Sequence, residues 1–114
     1  MITTRNAARG VPAGAPRQRT VAASAVVTGK GLMLGREATL TIMPAPPDHG
    51  IVFERTDLER PVIIPALVSS VIPNARRTTL KAGDVTIETV EHCMSALRGL
   101  GIDNVLLKLH GPEL

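Results

Sequence analysis

Thr89-Val90-Glu91-His92-Cys93-Met94-Ser95-Ala96-Leu97-Arg98-Gly99-Leu100-Gly101-Ile102-Asp103-Asn104 is the stretch that decides the fold. Val90, Met94, Leu97 and Leu100 recur at helical spacing and predict a single apolar stripe. Thr89 stands where a side-chain oxygen can accept a backbone N–H two or three residues on, and so cap the helix. Gly99 and Gly101 supply the stop. The sequence on either side reads as strand, which predicts an α+β two-layer sandwich, a mainly antiparallel sheet with one helix packed on one face.

Beyond the helix, Asn104 to His110 is an apolar strand ended by Gly111-Pro112. Before it, Arg77 to Lys81 and Val85 to Glu88 flank Ala82-Gly83-Asp84, a hairpin signal with a glycine free to take positive φ. Pro61 to Ile64 and Ala66 to Ile72 are apolar and β-branched but parted by Pro65, as suits edge strands or extended crossings. Ile51 to Arg55 reads as a strand returning antiparallel across the turn Pro44 to Gly50. Its partner, Arg36 to Met43, alternates Ala38, Leu40 and Ile42 against Thr39, Thr41 and Met43. Thr20 to Thr28 is a weaker strand broken by Gly29-Lys30-Gly31. Residues 1–18 mix Ala, Gly, Pro and Arg without periodicity, and the expectation is a disordered basic leader ahead of a domain over residues 19–114.

The chain has 114 residues, room for one small domain. It has no Trp or Tyr and one Phe, so its core is aliphatic and nucleic-acid binding by aromatic stacking is unsupported. The net charge of +3 arises in the first third, where Arg5, Arg9, Arg17, Arg19, Lys30 and Arg36 precede the first acid, Glu37. The body therefore offers no basic face for a phosphate backbone. An Arg-rich, acid-free leader could be a transit peptide, but its Pro and Gly content opposes the amphipathic helix that such peptides need. No apolar run is long enough for a secretory signal or a membrane span. The single cysteine, Cys93, excludes an internal disulfide and any CxxC site, which fits a reducing compartment.

Glu91 and His92 begin the helix side by side. Adjacent helical residues diverge by about 100°, so the two cannot pair head to head. They can converge on a third object: a metal ion ligated by the imidazole, with the carboxylate taking a proton from the water that the metal activates. By spacing alone, first-turn capping electrostatics and a structural histidine explain them better than chemistry does.

The run Thr89-Val-Glu-His92, followed by Met94-Ser-Ala-Leu97 and Gly99-Leu-Gly-Ile-Asp-Asn104, resembles the signature of the UDP-3-O-acyl-N-acetylglucosamine deacetylases, zinc hydrolases of lipid A synthesis. The likeness continues in order through Gln18-Arg-Thr20, Gly29-Lys-Gly-Leu32, Ala38-Thr-Leu-Thr41, Pro44-Ala-Pro46, Gly50-Ile-Val52, Arg55-Thr-Asp-Leu58, Thr78-Thr-Leu80 and Gly111-Pro-Glu113. The resemblance implies that His92 is a zinc ligand and Glu91 the general base. It implies that Arg77 and Thr78 lie near the bound sugar nucleotide, with a solvated hairpin end as the alternative. The reaction implied is hydrolysis of the N-acetyl group of UDP-3-O-acyl-GlcNAc in the bacterial cytoplasm.

Where the family usually carries His and then Ser or Thr before glycine, this chain has Met33-Leu34 before Gly35. Family members also continue beyond the Gly-Pro-Glu motif into a second helix and a second half, which completes the zinc site. A catalytic zinc takes three protein ligands, and the other candidates here are His49 in a turn, His110 at a strand end and Cys93 on another side of the helix. The expectation is an N-terminal half, a fragment or one piece of a split enzyme whose second polypeptide completes the site in trans, and which is inactive alone. The alternative is a catalytically dead binding or regulatory domain of the same fold. An uncovered sheet face is expected in either case.

Overall fold

The computed structural model describes residues 17–114, and the expected leader lies outside the described residues as far as residue 16. Gln18, placed in that leader by composition, is tied into the fold: it exchanges hydrogen bonds with Asp48 and accepts one from the Asn104 amide.

Over the described residues the architecture is α+β, with one α-helix and two sheets. Strands β1 (Ala25–Lys30), β2 (Glu37–Pro44), β3 (Ile51–Arg55), β4 (Val62–Pro65) and β8 (Val105–His110) form a five-stranded sheet in the order β1-β2-β8-β3-β4. Strands β5 (Val71–Ile72), β6 (Thr79–Ala82) and β7 (Val85–Ile87) form a small antiparallel meander, and helix α1 (Glu91–Gly99) follows it.

The expected return of β3 against β2 is corrected here, because β8 lies between them, antiparallel to β2 and parallel to β3. The reason is burial. Val105, Leu107 and Leu109 of β8 are fully buried, and Leu106 on the opposite face is half-buried as well. A strand with one face fully buried and the other partly covered takes the central slot. The residues between β3 and β8 therefore form a crossover, and that crossover carries α1.

The core lies on the face of the sheet where Val105, Leu107 and Leu109 meet Phe53 and Ile64, with Leu80 and Ile87 of the meander and Val90 and Leu97 of the helix segment closing over them. Burial of each such side chain stabilises the fold by about 1.5–3 kcal/mol. Leu40 and Ile42, opposite Leu109 and Leu107, extend the same face toward β1. There the cover is thinner: Val27, Ala38, Leu40, Leu109 and Leu114 line an open apolar cleft.

Strand β1 begins later than composition predicts and runs through Gly29 to Lys30, in register with Glu37. Thr20 precedes it as a buried tether, its hydroxyl accepting the Ala45 N–H at 3.1 Å. Gly83 takes φ +58 in the β6–β7 turn, as the hairpin signal requires. The segment after Pro65 forms a 3-10 turn over Val68–Ser70 before β5.

At the helix, two expectations fail. Thr89 does not cap it: Val90 occupies the N-cap position, and among the described residues its side chain makes no capping hydrogen bond. Leu100 does not join the stripe but is 69% exposed. The helix closes instead through Gly101 at φ +70, with Ile102 N–H donating to Leu97 O at 3.0 Å and Gly101 N–H to Arg98 O at 3.1 Å. This reversal carries Ile102 back against the core in the place the periodicity assigns to Leu100.

Candidate active site

The entry to α1 is held from two sides. Glu88 N–H donates to Pro112 O at 2.8 Å and Leu114 N–H to Glu88 O at 3.1 Å, so residues 112–114 run as a strap beside the approach to the helix. Val90 N–H donates to Thr78 O at 3.2 Å, which joins the helix start to the end of the segment leading into β6. Between these anchors Thr89 adopts φ +61. A β-branched residue in this left-handed region is a genuine outlier, strained by roughly 1–3 kcal/mol.

Glu91 and Thr78 are brought together. Glu91 Oε1 lies 3.4 Å from the Thr78 N–H, at the long limit of a hydrogen bond. Its other oxygen, Oε2, is buried and has no hydrogen-bond partner among the described residues. His92, the next residue, is exposed on the same first turn. The pair thus combines a sheltered acceptor that lacks a donor with an imidazole open to solvent.

Arg77 is directed elsewhere, its Nε bonded to Glu88 Oε2. The same oxygen accepts from Thr79 Oγ1 at 2.8 Å and Asn74 Nδ2 at 3.2 Å, so Glu88 gathers the residues that lead into β6. His49 and His110 are not near a common centre with His92: His49 Nδ1 lies 3.0 Å from Gly50 O, and His110 ends β8 exposed, opposite Thr39. Cys93 packs against the core, and burial pushes its thiol up. Among the described residues, no group of three or more His, Cys, Asp and Glu side chains comes together to hold a metal ion.

Two residues matter more than the pattern suggests. Glu113 is 1% exposed, and its carboxylate accepts from Leu34 N–H at 2.9 Å, Met33 N–H at 2.9 Å and Thr89 Oγ1 at 2.8 Å. Burial works to raise its pKa, but those hydrogen bonds, with the nearby Arg77 charge, hold the carboxyl below the usual range. Gly31 makes room for it, since a Cβ at that position would stand 1.9 Å from Glu113 Oε1. The only sequence signal for this cluster is an acid closing an otherwise apolar turn, because its donors lie 24 and about 80 residues away. Met33 and Leu34 contribute their backbone to it, while the Leu32 side chain on the same loop is 83% exposed.

Arg55 makes a second buried polar contact of a purely structural kind. It is bidentate to Asp57 and donates to Thr86 O at 3.0 Å, tying β3 to β7. The Arg55 guanidinium draws the Asp57 carboxyl down.

The chain is similar to known proteins over nearly all of its described residues. The sequence model of the family described as UDP-3-O-acyl N-acetylglycosamine deacetylase matches residues 18–114. A protein of Myxococcus xanthus (strain DK1622) named UDP-3-O-acyl-N-acetylglucosamine deacetylase is 54% identical over 97 residues, covering 85% of this chain and 31% of the relative. Proteins of the same name from Coxiella burnetii (strain RSA 493 / Nine Mile phase I) and Pseudomonas entomophila (strain L48) are 47% and 48% identical over 98 residues, each covering 86% of this chain and 32% of the relative. The chain thus spans about a third of the length of the curated relatives it matches. With a match that spans residues 18–114, from Gln18 past the Glu91–His92 turn and the buried Glu113, this chain belongs to the UDP-3-O-acyl-N-acetylglucosamine deacetylase family.

Proposed function

We propose that this chain forms one wall of a zinc-dependent deacetylase site that removes the N-acetyl group of UDP-3-O-acyl-GlcNAc in lipid A biosynthesis, in the bacterial cytoplasm. Glu91 is the general base, His92 is one zinc ligand, and Thr78 and Arg77 flank the sugar nucleotide. The observation that carries this reading is the Glu91 carboxylate, whose Oε2 is buried and lacks a donor among the described residues while Oε1 leans on the Thr78 N–H. A buried acceptor without a donor is destabilising by about 1–3 kcal/mol. It is supportable where a substrate or its attacking water supplies the missing proton donor.

The donors present fit one corner of a zinc centre: a solvent-accessible imidazole, with no second or third ligand beside it among the described residues. The remaining ligands come from elsewhere in the complete protein or from a second polypeptide, and the 114 residues alone neither hold zinc tightly nor release acetate. When bound, zinc polarises the amide carbonyl and acidifies water. Glu91 takes a proton from the attacking water. As the new O–C bond forms and the C–N bond breaks, that proton passes to the departing amine, and acetate is released.

A second reading, a catalytically dead binding or regulatory domain of the same fold, draws on two features. Arg77 is already engaged by Glu88, and the loop at Met33-Leu34 presents apolar side chains. A chimera separates the readings: residues 18–114 replace the matching stretch of the Myxococcus xanthus relative, and acetate release from UDP-3-O-acyl-GlcNAc is measured. Activity that falls about 10²–10⁴-fold in Glu91→Gln, with zinc content lost in His92→Ala, supports the deacetylase. A folded chimera that binds the sugar nucleotide and releases no acetate supports the dead domain.

A further inference from the structure

We infer, on the reading of Glu91 and His92 given above, that Glu113 is a positioning residue for this site: its buried carboxylate fixes the left-handed Thr89 at the entry to α1 and the loop from Gly31 to Arg36 as one unit. Three observations converge on it.

The first is the distribution of its bonds. Oε2 takes the Thr89 hydroxyl at 2.8 Å and the Met33 N–H at 2.9 Å, and Oε1 takes the Leu34 N–H at 2.9 Å. The Met33 N–H also lies 3.1 Å from Oε1, so both oxygens are engaged by the loop and one of them by Thr89 as well. The loop is closed on itself by Gly31 N–H to Arg36 O at 3.0 Å and Gly35 N–H to Gly31 O at 2.9 Å. It therefore meets the carboxylate as a preformed pair of donors.

The second is the conformation of Thr89. Its φ of +61 would be taken with less strain by glycine or asparagine. What threonine adds is a hydroxyl, and that hydroxyl is given to Glu113 rather than to the helix. Release of that bond would let φ return to the ordinary negative region. The peptide leading into Val90 would turn with it, and Glu91 would be drawn off the Thr78 N–H.

The third is the space kept for the carboxylate. Gly31 has no room for a Cβ, because the Glu113 side chain fills that volume. Residues 112–114 are themselves fixed to Glu88 by two backbone hydrogen bonds, so the carboxylate is offered from a held strand. Glu113 touches neither Glu91 nor His92 in the hydrogen bonds described. It acts through Thr89 and the loop.

The test uses the full 114-residue chain and amide resonances and hydrogen exchange measured by NMR. Thr89→Val exchanges the hydroxyl for a methyl group of similar size and keeps the branch at Cβ. The expected result is a shift of the Val90, Glu91, His92 and Thr78 amide resonances and a loss of Val90 N–H protection of tenfold or more. The Phe53 and Leu107 amides keep theirs. Thr89→Ser restores the wild-type pattern. Glu113→Gln, which keeps one acceptor oxygen, additionally exposes the Met33 N–H to exchange. Unchanged resonances at residues 90–92 in Thr89→Val overturn the proposal. So does a uniform loss of protection across all core amides, which marks a global structural role with no local positioning. These readouts need no catalysis: an inactive wild-type chimera sinks the reading of Glu91 and leaves the amide results to stand or fall separately.

Discussion

Glu113 and Glu91 both bear on the entry to α1, the one through Thr89 and the other as its first residue, and are opposites in how their oxygens are met. Glu113 is enclosed, with donors from the Gly31–Arg36 loop and from Thr89 engaging both oxygens. Glu91 has one long contact to Thr78 and one buried oxygen with no partner among the described residues. A carboxylate saturated by its own chain is held in place and has no lone pair to offer a ligand. One left half-satisfied retains that capacity, at the expense of stability. The contrast assigns the first to architecture and the second to chemistry, although both sit within one turn of the same helix entry.

The comparison breaks most visibly if Glu113 is removed. Glu113→Ala leaves two loop N–H groups and the Thr89 hydroxyl without their acceptor, and is expected to lower unfolding free energy by roughly 2–4 kcal/mol, read by urea denaturation. A loss below about 1 kcal/mol would mean the enclosure contributes little. Gly31→Ala comes next, at about 1–3 kcal/mol from overpacking against Glu113. Its effect should shrink to within about 0.5 kcal/mol in the Glu113→Ala background, where the obstruction is gone.

Acid titration sharpens the contrast further. Glu113 and Asp57 both have folded pKa values below the ordinary carboxylate range. Each therefore adds stability above its unfolded pKa, and that stability is lost as pH falls through the folded pKa. Glu113→Gln should be less stable than wild type at neutral pH, with the gap narrowing as pH drops below about 4. A gap that stays constant across that range would contradict the lowered pKa. Least stability is lost in Glu91→Gln, expected to fall no more than about 0.5 kcal/mol below wild type or to rise above it, since only the long Thr78 contact is given up and a buried charge, unpaired among the described residues, is removed. A large destabilisation there would make Glu91 structural after all.

Much of the fold follows from local patterns. The alternation from Ala38 to Ile42, the Gly83 turn, the helix after Thr89 and its glycine stop are each decided within about ten residues, where side-chain period and backbone freedom act directly. Glu91 and His92 stand out for the same reason, being adjacent in sequence and within one helical turn. Periodicity misassigns Leu100 because it assumes the helix continues, whereas the Gly101 reversal makes Ile102 the residue that turns inward. It misassigns the role of Thr89 because a hydroxyl at a helix entry has two possible partners. The acceptor that wins here is a carboxylate 24 residues away.

The sequence by itself determined the element types, the helix that carries the Glu91–His92 pair and, through ordered motifs from Gln18 to Glu113, the family. Tertiary structure alone decided that β8 separates β2 from β3, that Arg77 turns to Glu88 while Thr78 meets Glu91, and that Glu113 binds the Gly31 loop to the helix entry. The physical reason is that propensity and periodicity act between near neighbours along the chain. The choice of central strand and the satisfaction of a buried carboxylate depend on which distant groups share one dry volume, and only the packed fold brings those groups together.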